Sequence, residues 1–289
     1  MSVNRHALDV LEFGKVLEGV AARALSELGR DRVLTLTPSL RLGLAQAELQ
    51  RVEETAAFLH RHSNWNAPEI PDARGALARL GMDGSVLEPQ ELFSVGLLLS
   101  SGRRLRDVLS EASAELPSLV SIREGLYREQ RTEKAIGKTV DQDGTVLDSA
   151  SPELGRIRGR LKRLHVRVVR ALEKLISTLP ERIVVPDGSV TIRDGRYVIP
   201  VRREGRGEVG GAVLDESATG ATLFVEPPVA LEMMAELREL QREEGREVLR
   251  ILREKTDELR PHLLLLEASQ ESLVAFDSLY ARALSALSW

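Results

Sequence analysis

The chain has 289 residues, 43% of them apolar and 29% charged, with a net charge of −4 and no cysteine. This length supports a large core in one or two domains. The negative balance excludes a globally basic surface, so any nucleic-acid contact must be a local patch. The missing cysteines exclude disulfides, thiolate catalysis and cysteine-ligated zinc, which fits a cytoplasmic protein. No run approaches the roughly 20 apolar residues of a membrane span, and Met1–Val10 lacks the long apolar core of a signal peptide, so no membrane partner is expected. Aromatics are only 3%, which argues against base-stacking platforms of the single-strand-binding kind.

Residues 7–36 read as a helix with Leu8, Leu11, Val16, Val20, Leu25 and Leu28 on its apolar face and a break at Gly29. A second helix is expected over 41–61, on Leu42, Leu49, Val52, Ala56 and Leu59. His62–Asp72 has two prolines and no period, so it reads as a loop. A short helix follows near Asp72–Leu80, then a turn at Gly81–Gly84. A strong helix runs over Glu88–Ser113 with Pro89 in its first turn, where the missing N–H costs nothing. Pro117 opens a short helix, and Leu119–Ile136 is expected to be helical. Asp141–Val146 has turn chemistry.

The organising stretch is Pro152–Pro261. A helix over Pro152–Leu179, capped by Ser151, carries an apolar stripe: Ile157, Leu161, Leu164, Val168, Leu172 and Leu175. Beside it lies a basic stripe, Arg156, Arg160, Arg163, Arg167, Arg170 and Lys174. A return helix from Pro228 towards Arg260 has its own apolar positions and an acidic row, Glu232, Glu236, Glu239, Glu243 and Glu247. Two such helices suit an antiparallel coiled-coil arm. Between them the period changes to that of strands. Ser189–Arg193 and Arg196–Val201 flank Asp194-Gly195, a strong hairpin signal. A flexible Gly-rich loop, Gly205–Gly211, then leads to strands at Ala212–Asp215 and Ala221–Val225 around Thr219-Gly220. A final helix is expected over His262–Ser288.

The fold class expected is therefore mainly α: a helical core or lever region over 1–155, with 245–289 returning to it, and an arm over 156–244 carrying a β-rich tip at about 183–226.

Motifs that suggest chemistry fail on context. Gly205–Gly210 matches GxGxxG, but a strand follows it where a phosphate-binding helix N-terminus is required. Ile136-Gly137-Lys138-Thr139 resembles the end of a P-loop, but the first glycine of that motif would stand at Thr132 and no apolar strand precedes it. His60 and His62 lack an added carboxylate, and His6, His165 and His262 are scattered, so no metal site is expected. There is no catalytic triad or nucleophile elbow. No catalytic residue and no cofactor is assigned.

Two basic patches remain. Arg193, Arg196, Arg202, Arg203 and Arg206 cluster in the insert, where they serve either phosphate contact or a solubilising surface. The stripe containing Arg156, Arg160, Arg163 and Arg167 serves either phosphate contact or interhelical ion pairs with the acidic row.

Val190–Pro200 (VTIRDGRYVIP), Gly210-Gly211 and Ser217–Pro227 (SATGATLFVEP) resemble the clamp region of the second bacterial MutS paralogue, "MutS-two". Ala7–Val16, Asp72–Leu77 and Asp143–Ser151 fit the same pattern in the same order, so the resemblance covers nearly the whole chain. It implies a lever region with an inserted clamp, a homodimer, and a parent that binds branched DNA such as junctions and displacement loops and suppresses homologous recombination. Some members act on collided ribosomes, so contact with ribosomal RNA is an alternative. A dimerisation and lever scaffold with little nucleic-acid affinity is another. The resemblance places ATP and magnesium in an ATPase domain beginning near Trp289, followed by a small MutS-related nuclease domain, both outside this sequence. The segment itself is then non-catalytic. Phe224-Val225-Glu226 resembles the Phe-x-Glu mismatch reader of MutS proteins, but it lies at the end of a strand in the insert and not in an N-terminal domain; Phe224 is expected to be tip core.

Overall fold

The computed structural model describes residues 5–288; the expected ATPase junction at Trp289 lies outside the described residues. The molecule is mostly helical with one small antiparallel sheet. It divides into two compact units. One comprises the described residues up to Leu147 and those from Leu252 onward; the other is Asp148–Ile251.

The first unit holds α1 (Arg5–Val10), α2 (Phe13–Ala21), α3 (Glu27–Leu34), α4 (Leu42–Arg61), α5 (Arg74–Leu80), α6 (Pro89–Glu111), α7 (Val120–Gly125) and α8 (Gln130–Gly137). The second begins with α9 (Pro152–Thr178), then β1 (Thr191–Arg193), β2 (Arg196–Arg202), α10 (Arg206–Val209), β3 (Ala212–Glu216) and β4 (Thr222–Glu226). The long α11 (Pro228–Leu259) starts in the second unit and ends in the first, where α12 (Leu263–Leu287) follows.

Helix α12 is the axis of the first unit and packs against α2 through α7. Its apolar positions Leu266, Leu273, Phe276 and Leu279 are buried, as the period predicts. Buried polar side chains on the same helix fasten the loops around it. Gln270 donates to the Pro71 carbonyl and accepts from the Ala73 amide. Asp277 accepts from the Leu25 and Ser26 amides and the Ser26 hydroxyl. Burial pushes the Asp277 carboxyl above its ordinary range, against the opposing effect of these bonds.

That latch corrects the sequence reading of 7–36 as one helix. The chain leaves helical geometry at Glu12, whose φ is 52°, and again between Ala21 and Glu27, where Asp277 takes the backbone amides. Ser26 then caps α3 by accepting from Gly29. Gly29 is no break: it lies inside α3, and a Cβ there would stand 2.1 Å from the Asp277 carboxylate. The expected helix over Leu119–Ile136 is also two, because Leu126 turns extended and buries while Glu129 caps α8. In α4 the expected face is buried only at its C-terminal end. Leu42 and Leu49 are exposed, whereas Ala56, Phe58 and Leu59 are covered.

In the second unit Ser151 accepts from Leu154 and Pro152 opens α9, as its cap signature predicts. Ile157, Leu161, Leu164, Val168 and Leu172 bury in one cluster with Met234, Leu237 and Leu240 of α11. The polar pairs Ser151–Glu247, Arg158–Glu244 and Arg160–Glu243 rise in number on α9 as they fall on α11, so the two helices run antiparallel.

The strands form one sheet in the order β1-β2-β4-β3, antiparallel throughout. The β1–β2 turn is Asp194-Gly195, both at positive φ, as a two-residue hairpin requires. Tyr197, Ile199 and Val201 of β2 and Leu223 and Val225 of β4 join the helix cluster, which closes the core under one face of the sheet. The expected flexible loop Gly205–Gly211 contains the single turn α10, and Gly205 is buried against Ile183. Phe224 is not tip core. It alternates away from Leu223 and Val225 onto the other face of the sheet and is half-buried there.

Candidate nucleic-acid interface

The basic residues that the sequence singles out in the second unit fall into two groups. The first lies at the sheet. Alternation along β2 puts Arg196 and Arg202 on the face opposite the helix cluster, with Arg193 of β1 in register with Arg196. Phe224 shares that face, in register with Pro200, and the Arg193 guanidinium lies 4.6 Å from the centre of its ring.

Most of these tip arginines have partners. Arg193 pairs with Asp215 at 3.4 Å. Arg196 pairs at 3.0 Å with Glu226, whose side chain is fully buried. Arg203 pairs with Glu216 at 2.6 Å and donates to the Gly220 carbonyl. Arg202 donates to the Val184 carbonyl at 3.3 Å. Arg206, on α10, is exposed and has no ion pair among the described residues. Its neighbour Glu208 holds Arg182.

The second group is the α9 stripe. Arg156 pairs with Glu153 one turn back on the same helix. Arg160 reaches Glu243 across to α11 at 3.5 Å. Arg163, Arg167, Arg170 and Lys174 are all exposed and make no ion pair among the described residues. Two members of the acidic row of α11 are engaged on their own helix. Glu239 is held by Arg242 and Arg246 of its own helix, which keep its carboxyl below the usual range. Glu247 bonds Arg250 and the Ser151 hydroxyl, and its carboxyl falls to about 2. The interhelical alternative for the stripe is therefore met by Arg160 alone among its members; the other close cross-helix pair, Arg158–Glu244, lies outside the stripe.

The sequence reading missed the partners. Glu226 sits on β4, which the strand order sets beside β2, and Asp215 and Glu216 sit on β3, the edge strand beyond it. The acid after each short apolar run (VLDE, LFVE) was the available signal. His165 and Tyr197 also tie α9 to β2, with Nδ1 and the phenol oxygen 2.5 Å apart; burial pushes the phenol pKa up.

No family model matches the chain. Among curated relatives, the Endonuclease MutS2 of Gemmatimonas aurantiaca is 43% identical over 97% of this chain and 35% of its own length. Those of Pelotomaculum thermopropionicum and Geobacillus thermodenitrificans are 37% and 36% identical, over 97% and 96% of this chain and 36% of each relative. Over this span the chain is a MutS2-type sequence. It spans about a third of the length of the relatives it matches. The segments that carried the MutS2 resemblance fall on α1 and α2, on the start of α5, on the turn before α9, and on the β1–β2 and β4 strands. Among the described residues there is no cluster of three potential metal ligands, and no helix is long and apolar enough to cross a membrane.

Proposed function

We propose that the Asp148–Ile251 unit is the nucleic-acid clamp of a MutS2-type protein: a coiled-coil arm of α9 and α11 with the sheet at its tip. It binds duplex at branched sites such as junctions and displacement loops by backbone shape, and itself catalyses nothing. Within a full-length homodimer, two such clamps would contribute to suppression of recombination, with ATP and magnesium used by other parts of the protein. The observation that carries this reading is the row Arg163, Arg167, Arg170 and Lys174, exposed and making no ion pair among the described residues, on a helix whose adjoining apolar stripe is buried. Eleven residues of helix place the ends of the row about 16 Å apart, close to five base-pair steps of duplex. Such a row engages phosphates and reads no bases.

The test is fluorescence anisotropy with a four-way DNA junction, a matched linear duplex and a single strand, at low and moderate salt. Binding that favours the junction and weakens steeply with salt is expected. No binding at low salt would contradict the reading and favour a dimerisation scaffold. Tighter binding to a structured ribosomal RNA fragment than to the junction would move the assignment to RNA, whose phosphates the same row could meet.

A further inference from the structure

The first unit contains a second polar site, unrelated to the clamp. A pocket of about 430 Å³ opens where α3, α4 and α7 meet α12. Three guanidiniums converge on it: Arg32 from α3, Arg51 from α4 and Arg282 from α12. Two carboxylates position them. Arg32 donates through Nη1 to Glu271. Glu48 is shared between Arg51 at 2.7 Å and Arg282 at 3.0 Å. Burial pushes the Glu48 carboxyl up, but Arg282 and Arg51 outweigh it and hold it below the ordinary carboxylate range.

Three guanidiniums against two carboxylates leave one positive charge in excess. They also leave donors without acceptors. Nε and Nη2 of Arg32, Nε of Arg51 and Nη2 of Arg282 are not used by the bonds that fix these side chains. Two serines of α12 line the same pocket. Ser278 is 1% exposed and its hydroxyl has no hydrogen-bond partner. Ser272 is 9% exposed and makes no hydrogen bond among the described residues. A buried hydroxyl left unpaired is costly, and such groups mark sites where a partner belongs. Apart from Ser121, which accepts from Arg51, the remaining wall is apolar, from Leu36, Ile122, Ala275 and Leu279.

We propose that this pocket binds a small phosphate monoester with an apolar or planar body, of nucleoside-monophosphate size. The guanidiniums meet the phosphate dianion through charge-assisted hydrogen bonds, the serine hydroxyls donate to its oxygens, and the body lies on the apolar wall. Nothing in the clamp reading requires this site, and its failure leaves that reading untouched.

The test is isothermal titration of the 289-residue chain with adenosine monophosphate, adenosine and inorganic phosphate. Saturable binding of the monophosphate is expected, with adenosine not binding and inorganic phosphate binding at least about tenfold more weakly. Ser278→Ala should leave the thermal midpoint of the free chain unchanged or raised, because it removes an unpaired buried hydroxyl, and should weaken the monophosphate about tenfold. Arg51→Gln should weaken it by a similar factor. No saturable binding at millimolar monophosphate would overturn the proposal. So would binding that both variants leave unchanged, or inorganic phosphate binding as tightly as the nucleotide.

Discussion

The sheet tip and the α9 row are two basic regions of one unit, built on one hydrophobic cluster, and they differ in what their charges do. At the tip, Arg193, Arg196 and Arg203 are each answered by a carboxylate of β3 or β4. On α9, four successive cations of the stripe make no ion pair among the described residues. A charge already paired must give up its partner or share it before it neutralises a phosphate, so it contributes less to counterion release. The tip looked the richer site when charges were counted along the chain. Counted in space, four cations without an ion pair lie on the helix, against Arg202 and Arg206 at the tip.

The comparison presumes a shared core, and the largest expected effect breaks it at that level. Leu172 is fully buried in the cluster that joins α9 and α11 to β2 and β4. Leu172→Ala should destabilise the unit by about 2–5 kcal/mol. Hydrogen exchange should then rise in α9 and β2 together; a rise in α9 alone would mean that the two regions do not share a core.

Reversing Arg163, Arg167, Arg170 and Lys174 to Glu should next weaken junction binding by about a hundredfold or more at moderate salt, measured by anisotropy, with the helical circular dichroism unchanged. At the tip, Arg196→Gln should cost about 1–2 kcal/mol of stability in urea unfolding while changing affinity little. It strands the buried Glu226, and the cost stays below that of a fully buried pair because Arg196 is 41% exposed. Glu216→Gln sharpens the contrast from the other side. It frees Arg203, and affinity should rise about two- to threefold if a phosphate passes within a Debye length.

A further effect is one of pH. Glu247 has a folded-state pKa of about 2 against an ordinary 4.5, so its stabilisation is fully present above 4.5 and is lost as pH falls towards 2. The Glu247→Gln chain should lose less stability over that window than the parent in acid titration of the unfolding midpoint.

How much was legible in the sequence follows from range. The α9 cap, its apolar stripe and the Asp194-Gly195 hairpin are local and were readable from period and turn chemistry. What failed was set by residues far along the chain. Asp277 divides the N-terminal helices from more than 250 positions away, and the strand order sets Asp215 and Glu226 beside arginines they do not adjoin in sequence. Phe224 was misread as core because a hydrophobic run of Leu-Phe-Val hides the period of two that sends its middle residue to the other face.

The claim that the helix row carries the contact is tested most directly by the salt dependence of junction binding in two variants: Arg163, Arg167, Arg170 and Lys174 changed to Gln, and Arg202, Arg203 and Arg206 changed to Gln. The row variant should flatten the slope of log affinity against log salt by roughly 3 to 4, and the tip variant, in which only Arg202 and Arg206 lack a carboxylate partner, by about 2 or less. A slope unchanged by the row variant and flattened by the tip variant would contradict the account.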